Sequence, residues 1–131
     1  MLELKILDSK FIKINGYRNP NFSGDIKTKT NLKIIDIKNI KNTNLLRIKY
    51  DFEIVFGNLG QISISGMLII STDPETSLQI QNIWKDKKIE TPQYITIANI
   101  IIQKASLRAI QLEEELSLPI HIKLPKLSVL K

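Results

Sequence analysis

Leu46-Arg47-Ile48-Lys49-Tyr50-Asp51-Phe52-Glu53-Ile54-Val55-Phe56 is the stretch that decides the fold. Apolar side chains occupy every even position and polar ones nearly every odd position. A strand sends successive side chains to opposite faces, so this alternation describes a strand with one wet and one buried face. Gly57-Asn58-Leu59-Gly60 supplies turn residues, and Ile62, Ile64, Leu68 and Ile70 resume the alternation beyond it. Two such runs across a short Gly-containing turn predict an antiparallel hairpin. Gly66 falls in the inward register, where it marks a bulge or a close backbone approach.

Working outward toward the N-terminus, Leu2, Leu4 and Ile6 alternate with Glu3 and Lys5, and Phe11-Ile12-Lys13-Ile14 forms a second short run. Gly16 to Gly24, enclosing Asn19-Pro20-Asn21, predicts a loop. Ile26, Thr28, Thr30, Leu32 and Ile34 then alternate with lysines until the doublet Ile34-Ile35 shifts the apolar phase onto Ile35 and Ile37. A one-residue slip moves side chains to the other face, so the doublet predicts a bulge or a sharp bend. Toward the C-terminus, Asp73-Pro74-Glu75 and Thr91-Pro92 are helix starts: a capping side chain, then proline at the first helical position. They predict a short helix near 75–88 and a long one near 93–116, stopped by Ser117-Leu118-Pro119, with an extended tail over 117–131. The expected fold class is α+β: an antiparallel sheet of about four strands from residues 2–72, covered by a short and a long C-terminal helix. At 131 residues, with no repeat and no Gly/Ser linker, the chain reads as one domain, 1–131.

Composition narrows the function classes. There is no cysteine, which excludes disulfides, thiol nucleophiles and cysteine-ligated zinc. The opening Met1–Ile6 lacks a signal-peptide pattern and no apolar run reaches the length of a membrane span, so the reading expects a cytoplasmic protein without a membrane partner. The formal net charge is +6, and eleven of the nineteen basic residues but only six of the thirteen acidic ones fall in residues 1–60. A basic first half attracts nucleic acid or acidic proteins; clustered lysines also solubilise a sheet edge.

No nucleotide-binding loop, zinc-protease or EF-hand motif is present, and the reading assigns no catalytic residue, no metal site and no cofactor. His121, the one histidine, sits between two isoleucines and reads as structural or exposed. Glu113-Glu114-Glu115 reads as a solvated helix face. Lys27, Lys29, Lys33, Lys38, Lys41, Arg47 and Lys49 could track phosphates, although Tyr50, Phe52 and Phe56 point inward and not among them as stacking platforms.

On the long helix, Ala98, Ile101, Ile102, Ala105, Ala109, Leu112 and Leu116 form one apolar stripe able to dock on a sheet. Ile97, Ile100, Leu107 and Ile110 lie away from it, which predicts a second contact, a subunit interface.

Strand segments followed by a short helix, a proline-started long helix and a Leu-Pro segment make the order of elements of the SecB-like chaperone family. Phe52–Ile70 resembles that family's central hairpin, and Ile95–Ile110, followed by Leu118-Pro119-Ile120-His121-Ile122, resembles its last helix and the segment behind it. About two thirds of the chain is covered. The resemblance implies a homo-oligomer, a dimer or tetramer, that holds unfolded or nascent polypeptides in apolar surface grooves without ATP. Bacterial members are acidic and use an acidic C-terminal tail to dock on the translocation motor. This chain is basic and ends Leu127-Ser128-Val129-Leu130-Lys131, which puts that coupling to protein transport in doubt. The expected function is therefore an ATP-independent chaperone or adaptor, with an RNA- or ribosome-associated protein, or a structural subunit of a larger complex, as alternatives. Val55, Met67 and Ile69, on the rear of the hairpin, together with Trp84 on the short helix, are the expected peptide-binding residues. Methionine beside branched aliphatics adapts to many side chains.

Overall fold

The computed structural model describes residues 4–121 except 23, 25, 42 and 88–90. The expected tail beyond His121 and the end of the Lys85–Lys88 charge run lie outside the described residues. Four strands, β1 (Lys5–Arg18), β2 (Thr28–Asn39), β3 (Leu45–Phe56) and β4 (Gly60–Ser71), form one antiparallel sheet in the order β1-β4-β3-β2. Two helices, α1 (Pro74–Lys85) and α2 (Pro92–Glu115), pack on one face of it, α2 chiefly over β4, β3 and β2, and α1 over β2.

The β3–β4 hairpin forms with Leu46 opposite Ile70 and Val55 opposite Gln61. Its inward residues Leu46, Ile48, Tyr50, Phe52, Ile54 and Phe56, with Ile62, Ile64, Leu68 and Ile70, are buried and make the centre of the core. Gly57 takes a positive φ of 55° in the turn, a conformation that costs glycine nothing. Gly66 is the close approach that its register announces. It stands opposite Tyr50, and a β-carbon there would overlap the Tyr50 hydroxyl and press on the carbonyl of Lys10. Burial pushes the Tyr50 phenol up to about 12.

Three expectations need correction. The first strand is not two short runs but one strand of 14 residues, carried past two register shifts, between Ile6 and Asp8 and between Phe11 and Lys13. These bulges absorb the breaks in its alternation, and Gly16 lies inside the strand, so the loop begins at Asn19. In β2 the bulge falls where the doublet placed it, between Ile34 and Asp36, but the buried residues are Ile34 and Ile37 while Ile35 faces outward. On α2 the buried stripe is Ile97, Ile101, Ala105, Ala109 and Leu112, with Ile102 exposed. The helix is thus rotated toward Ile97, which at 1 % exposure belongs to the chain's own core and not to the outer side of α2.

Both helix starts are capped as their sequences require. The Asp73 carboxylate accepts hydrogen bonds from the hydroxyl and the backbone N–H of Thr76, and these hold it below the usual carboxylate range. Thr91 caps α2 by accepting from the Tyr94 N–H. At the other end of α2, Ser117 adopts a left-handed φ of 54°, the Ser117 N–H donates to the Glu114 carbonyl, and the Leu118 N–H donates to the Glu113 carbonyl. This is a Schellman cap with serine in place of the usual glycine, and buried Leu118 supplies its apolar contact. Arg18, at the end of β1, donates to the carbonyls of Leu116 and Ser117 and ties this corner to the sheet.

Candidate functional site

Among the described residues two surfaces and one interior cluster bear on function. The first is the sheet face away from the helices. Val55, Met67 and Ile69 lie on it, half-buried, as their register requires. Val55 pairs with Gln61, however, whereas Met67 and Ile69 pair with Lys49 and Arg47. Six residues of strand therefore separate the two groups, about 20 Å. Trp84 packs against the core from the helix-covered side, with the Lys87 ammonium 3.7 Å above its ring. The four expected peptide-binding residues thus occupy two ends of one face and the opposite face; the structure does not bring them together. Alternation identifies a shared face but says nothing of distance along it.

The same outward face holds most of the expected phosphate-binding residues. Lys33 stands opposite Asp51, Asp36 opposite Lys49, Asn31 opposite Glu53, and Lys38 lies 3.6 Å from Asp36. Lys29, Lys38 and Arg47 share this surface, while Lys27 and Lys41 sit in the segments flanking β2. Acids interleave with the bases, so the surface is a mixed ladder, not a basic stripe.

The second surface lies along β1. Ile6, Phe11 and Ile14 pair with Ile70, Gly66 and Ile64, which puts them on the inward face of the sheet. They nevertheless stay 37–38 % exposed because β1 is an edge strand beside α2 and not beneath it. Across from Phe11, α2 presents Leu107, 69 % exposed. The two side chains flank an open depression of about 370 Å³ whose other walls are Ser9, Lys104, Arg108 and Gln111. Ile100 and Ile110, expected at an interface with Leu107, are half-buried, and Ile100 packs against the core. This groove escaped the sequence reading because the inward phase of β1 looks the same as that of a covered strand. Only strand order reveals that no helix lies over it.

The third arrangement is interior. Ser106 and Glu113, seven residues apart on one flank of α2, both meet His121. The His121 ring places Nδ1 2.8 Å from Glu113 Oε2 and Nε2 3.0 Å from Ser106 Oγ, and the His121 backbone N–H donates to the same carboxylate oxygen at 3.0 Å. A carboxylate oxygen only accepts, so the ring donates from Nδ1, and Nε2 and the serine hydroxyl share the second hydrogen bond. Burial raises the Glu113 carboxyl above its usual range, a shift that the nearby His121 charge and hydrogen bonds only partly offset.

The residue types and their order in space are those of a serine hydrolase triad. Their placement is not. The side chains of Glu113 and His121 are essentially sealed, Ser106 is buried within a helix, and none of the surface depressions described here is lined by any of the three. The trio fastens the chain beyond α2 against the helix and against Phe52, whose ring meets His121 edge-on at 6.1 Å. Glu113 therefore does not belong to a solvated face, and His121 is structural.

Among the described residues no group of three or more potential metal ligands occurs, and no described helix is long and apolar enough to cross a membrane. No family model matches the sequence, and no curated protein matches it. A solved structure does: the SecB-like chaperone of Mycobacterium tuberculosis in complex with a ChAD peptide from the HigA1 antitoxin, with a TM-score of 0.57 and 10 % identity over 98 % of this chain and 93 % of that one. At that identity the likeness concerns the fold alone, and it covers nearly the whole of both chains: four antiparallel strands, a short helix and a long C-terminal helix make up a SecB-like α+β fold.

Proposed function

We propose that the protein is an ATP-independent chaperone or adaptor that holds an apolar segment of an unfolded or nascent polypeptide in the groove between β1 and α2. The observation that carries this is the uncovered inward face of β1, where Phe11 stands across a depression from exposed Leu107 and Ile6 and Ile14 are left more than a third exposed. The structurally similar mycobacterial protein was solved with a peptide, which supports the same class of ligand here. An edge strand with free backbone groups, next to apolar side chains, suits an extended chain, which can add main-chain hydrogen bonds to apolar burial. No catalytic step is part of this reading.

Homo-oligomerisation, as dimer or tetramer, belongs to the same proposal. With Ile97 in the core, Ile100, Leu107 and Ile110 remain of the four residues expected at that interface. Leu107 also lines the groove, so client and second copy compete for it, and saturating client is expected to shift sedimentation toward smaller particles.

The experiment titrates a fluorescent unfolded polypeptide and a single-stranded RNA with the full chain at low and high ionic strength. Apolar burial is insensitive to salt, whereas phosphate binding releases counterions and weakens steeply with it. Polypeptide binding that survives salt supports the proposal. Binding of the RNA alone, collapsing in salt, would replace it with the nucleic-acid alternative.

A further inference from the structure

The groove carries charge of one sign. On the outward sheet face acids stand among the bases, with Lys10 3.4 Å from Asp8 and Lys38 3.6 Å from Asp36. In the groove, Lys104 and Arg108 stand one helical turn apart on the flank of α2, and no acidic residue lines the depression. The Arg108 guanidinium donates to Gln111 Oε1 at 2.7 Å, and among the described residues neither cation forms an ion pair. The two charges thus stand beside an apolar wall made by Phe11 and Leu107, unneutralised by the chain itself.

From this we infer that the preferred occupant is an extended peptide whose apolar residues are flanked by carboxylates. The inference rests on the peptide-binding reading above and adds the client's chemistry to it. A carboxylate arriving at the groove mouth meets Lys104 and the planar fork of Arg108, which donates to two oxygens at once. A lysine or arginine arriving there meets two like charges. A second copy of this chain, itself carrying +6, is the poorer electrostatic match. RNA is also a poorer match, because two cations and one aromatic ring do not make the phosphate track and stacking platforms that a strand of nucleotides uses.

Exposed ion pairs are individually weak, so two of them correspond to about a fivefold preference at low salt. The test measures fluorescence anisotropy of three peptides that share one apolar centre and carry flanking Glu, Gln or Lys, with the full chain. The Glu peptide is expected to bind about fivefold more tightly than the Gln peptide and the Lys peptide least tightly, with the differences closing in ~1 M salt. Lys104→Glu with Arg108→Glu should reverse the order, and Lys104→Gln with Arg108→Gln should level it; circular dichroism checks that both variants stay folded. Equal affinities for the Glu and Gln peptides overturn the inference while leaving the peptide-binding reading intact. So does an order that survives the charge reversal, since the preference would then belong to the overall +6 field. If none of the three binds, or if RNA displaces them regardless of Phe11→Ser, the underlying reading has itself failed.

Discussion

The β3–β4 hairpin and strand β1 belong to one sheet and carry the same kind of alternation, yet their inward faces meet different fates. Every inward apolar residue of β3 from Leu46 to Phe56 is buried, whereas Ile6, Phe11 and Ile14 on β1 remain more than a third exposed. The cause is topological. The sheet order β1-β4-β3-β2 puts the hairpin in the middle of the sheet, where α2 covers it, and leaves β1 at the edge beside α2. The hairpin spends its apolar residues on stability, whereas those of β1 stay partly at the surface. An inward register therefore marks core in one strand and surface in the other.

Substitution breaks the comparison most sharply at matched phenylalanines. Phe52→Ala should cost about 3–5 kcal/mol in denaturant unfolding, because a cavity opens in a packed core, while Phe11→Ala should cost less than about 1. Similar losses at the two positions would mean that the groove is closed in solution. Next in size is His121→Ala. It removes the ring hydrogen bonds to Glu113 and Ser106 and leaves the sealed carboxylate with one fewer donor, for about 1–3 kcal/mol. Gly66→Ala should be of comparable size, since its methyl group collides with the Tyr50 hydroxyl. The Tyr50 ring carbon that bears the hydroxyl is nearly as close, so much of that loss should vanish in a Tyr50→Leu background but little in Tyr50→Phe, and an undiminished loss in Tyr50→Leu would assign the strain to the Lys10 carbonyl.

The smallest effect is a pH dependence. Glu113 has a raised carboxyl pKa, so its contribution to stability is fully present below the ordinary glutamate value of 4.5 and is lost as pH rises through the folded-state value. Glu113→Gln, which keeps an acceptor but cannot ionise, is therefore expected to gain stability relative to the unmodified chain between pH 4 and pH 7. A gain by the unmodified chain over that range would show that the His121 charge outweighs burial.

Much of the fold was legible because it rests on local signals. The alternation of Leu46–Phe56, the turn at Gly57–Gly60, the capping pairs Asp73-Pro74 and Thr91-Pro92 and the Ile34-Ile35 bulge are each written within a few residues. What escaped depends on distant ones. Ile97 was assigned to the outer side of α2 because a helical wheel gives relative angles but not which angle faces the sheet. Val55, Met67 and Ile69 share a face as the alternation required, but their separation along the strands depends on pairing. The groove arises only when β1 lies at the edge beside α2, and the Ser106–Glu113–His121 network only when the chain folds back behind the Ser117 cap. Leu107, named with Ile97, Ile100 and Ile110 as lying away from the docking stripe, was the one usable sign, since it is the member of that set that the structure leaves exposed.

The central claim, that the uncovered face of β1 beside α2 is a client site, is tested most directly by measuring the affinity for a fluorescent unfolded polypeptide of two double variants. Phe11→Ser with Leu107→Ser strips the groove, and Met67→Ser with Ile69→Ser strips the outward sheet face, both with circular dichroism as the check on folding. Each groove side chain buried against a client is worth about 1 kcal/mol or more, so the first variant should lose about tenfold or more in affinity and the second should bind as the unmodified chain does. Unchanged binding by the first variant together with weakened binding by the second would contradict the account and move the site to the other face of the sheet.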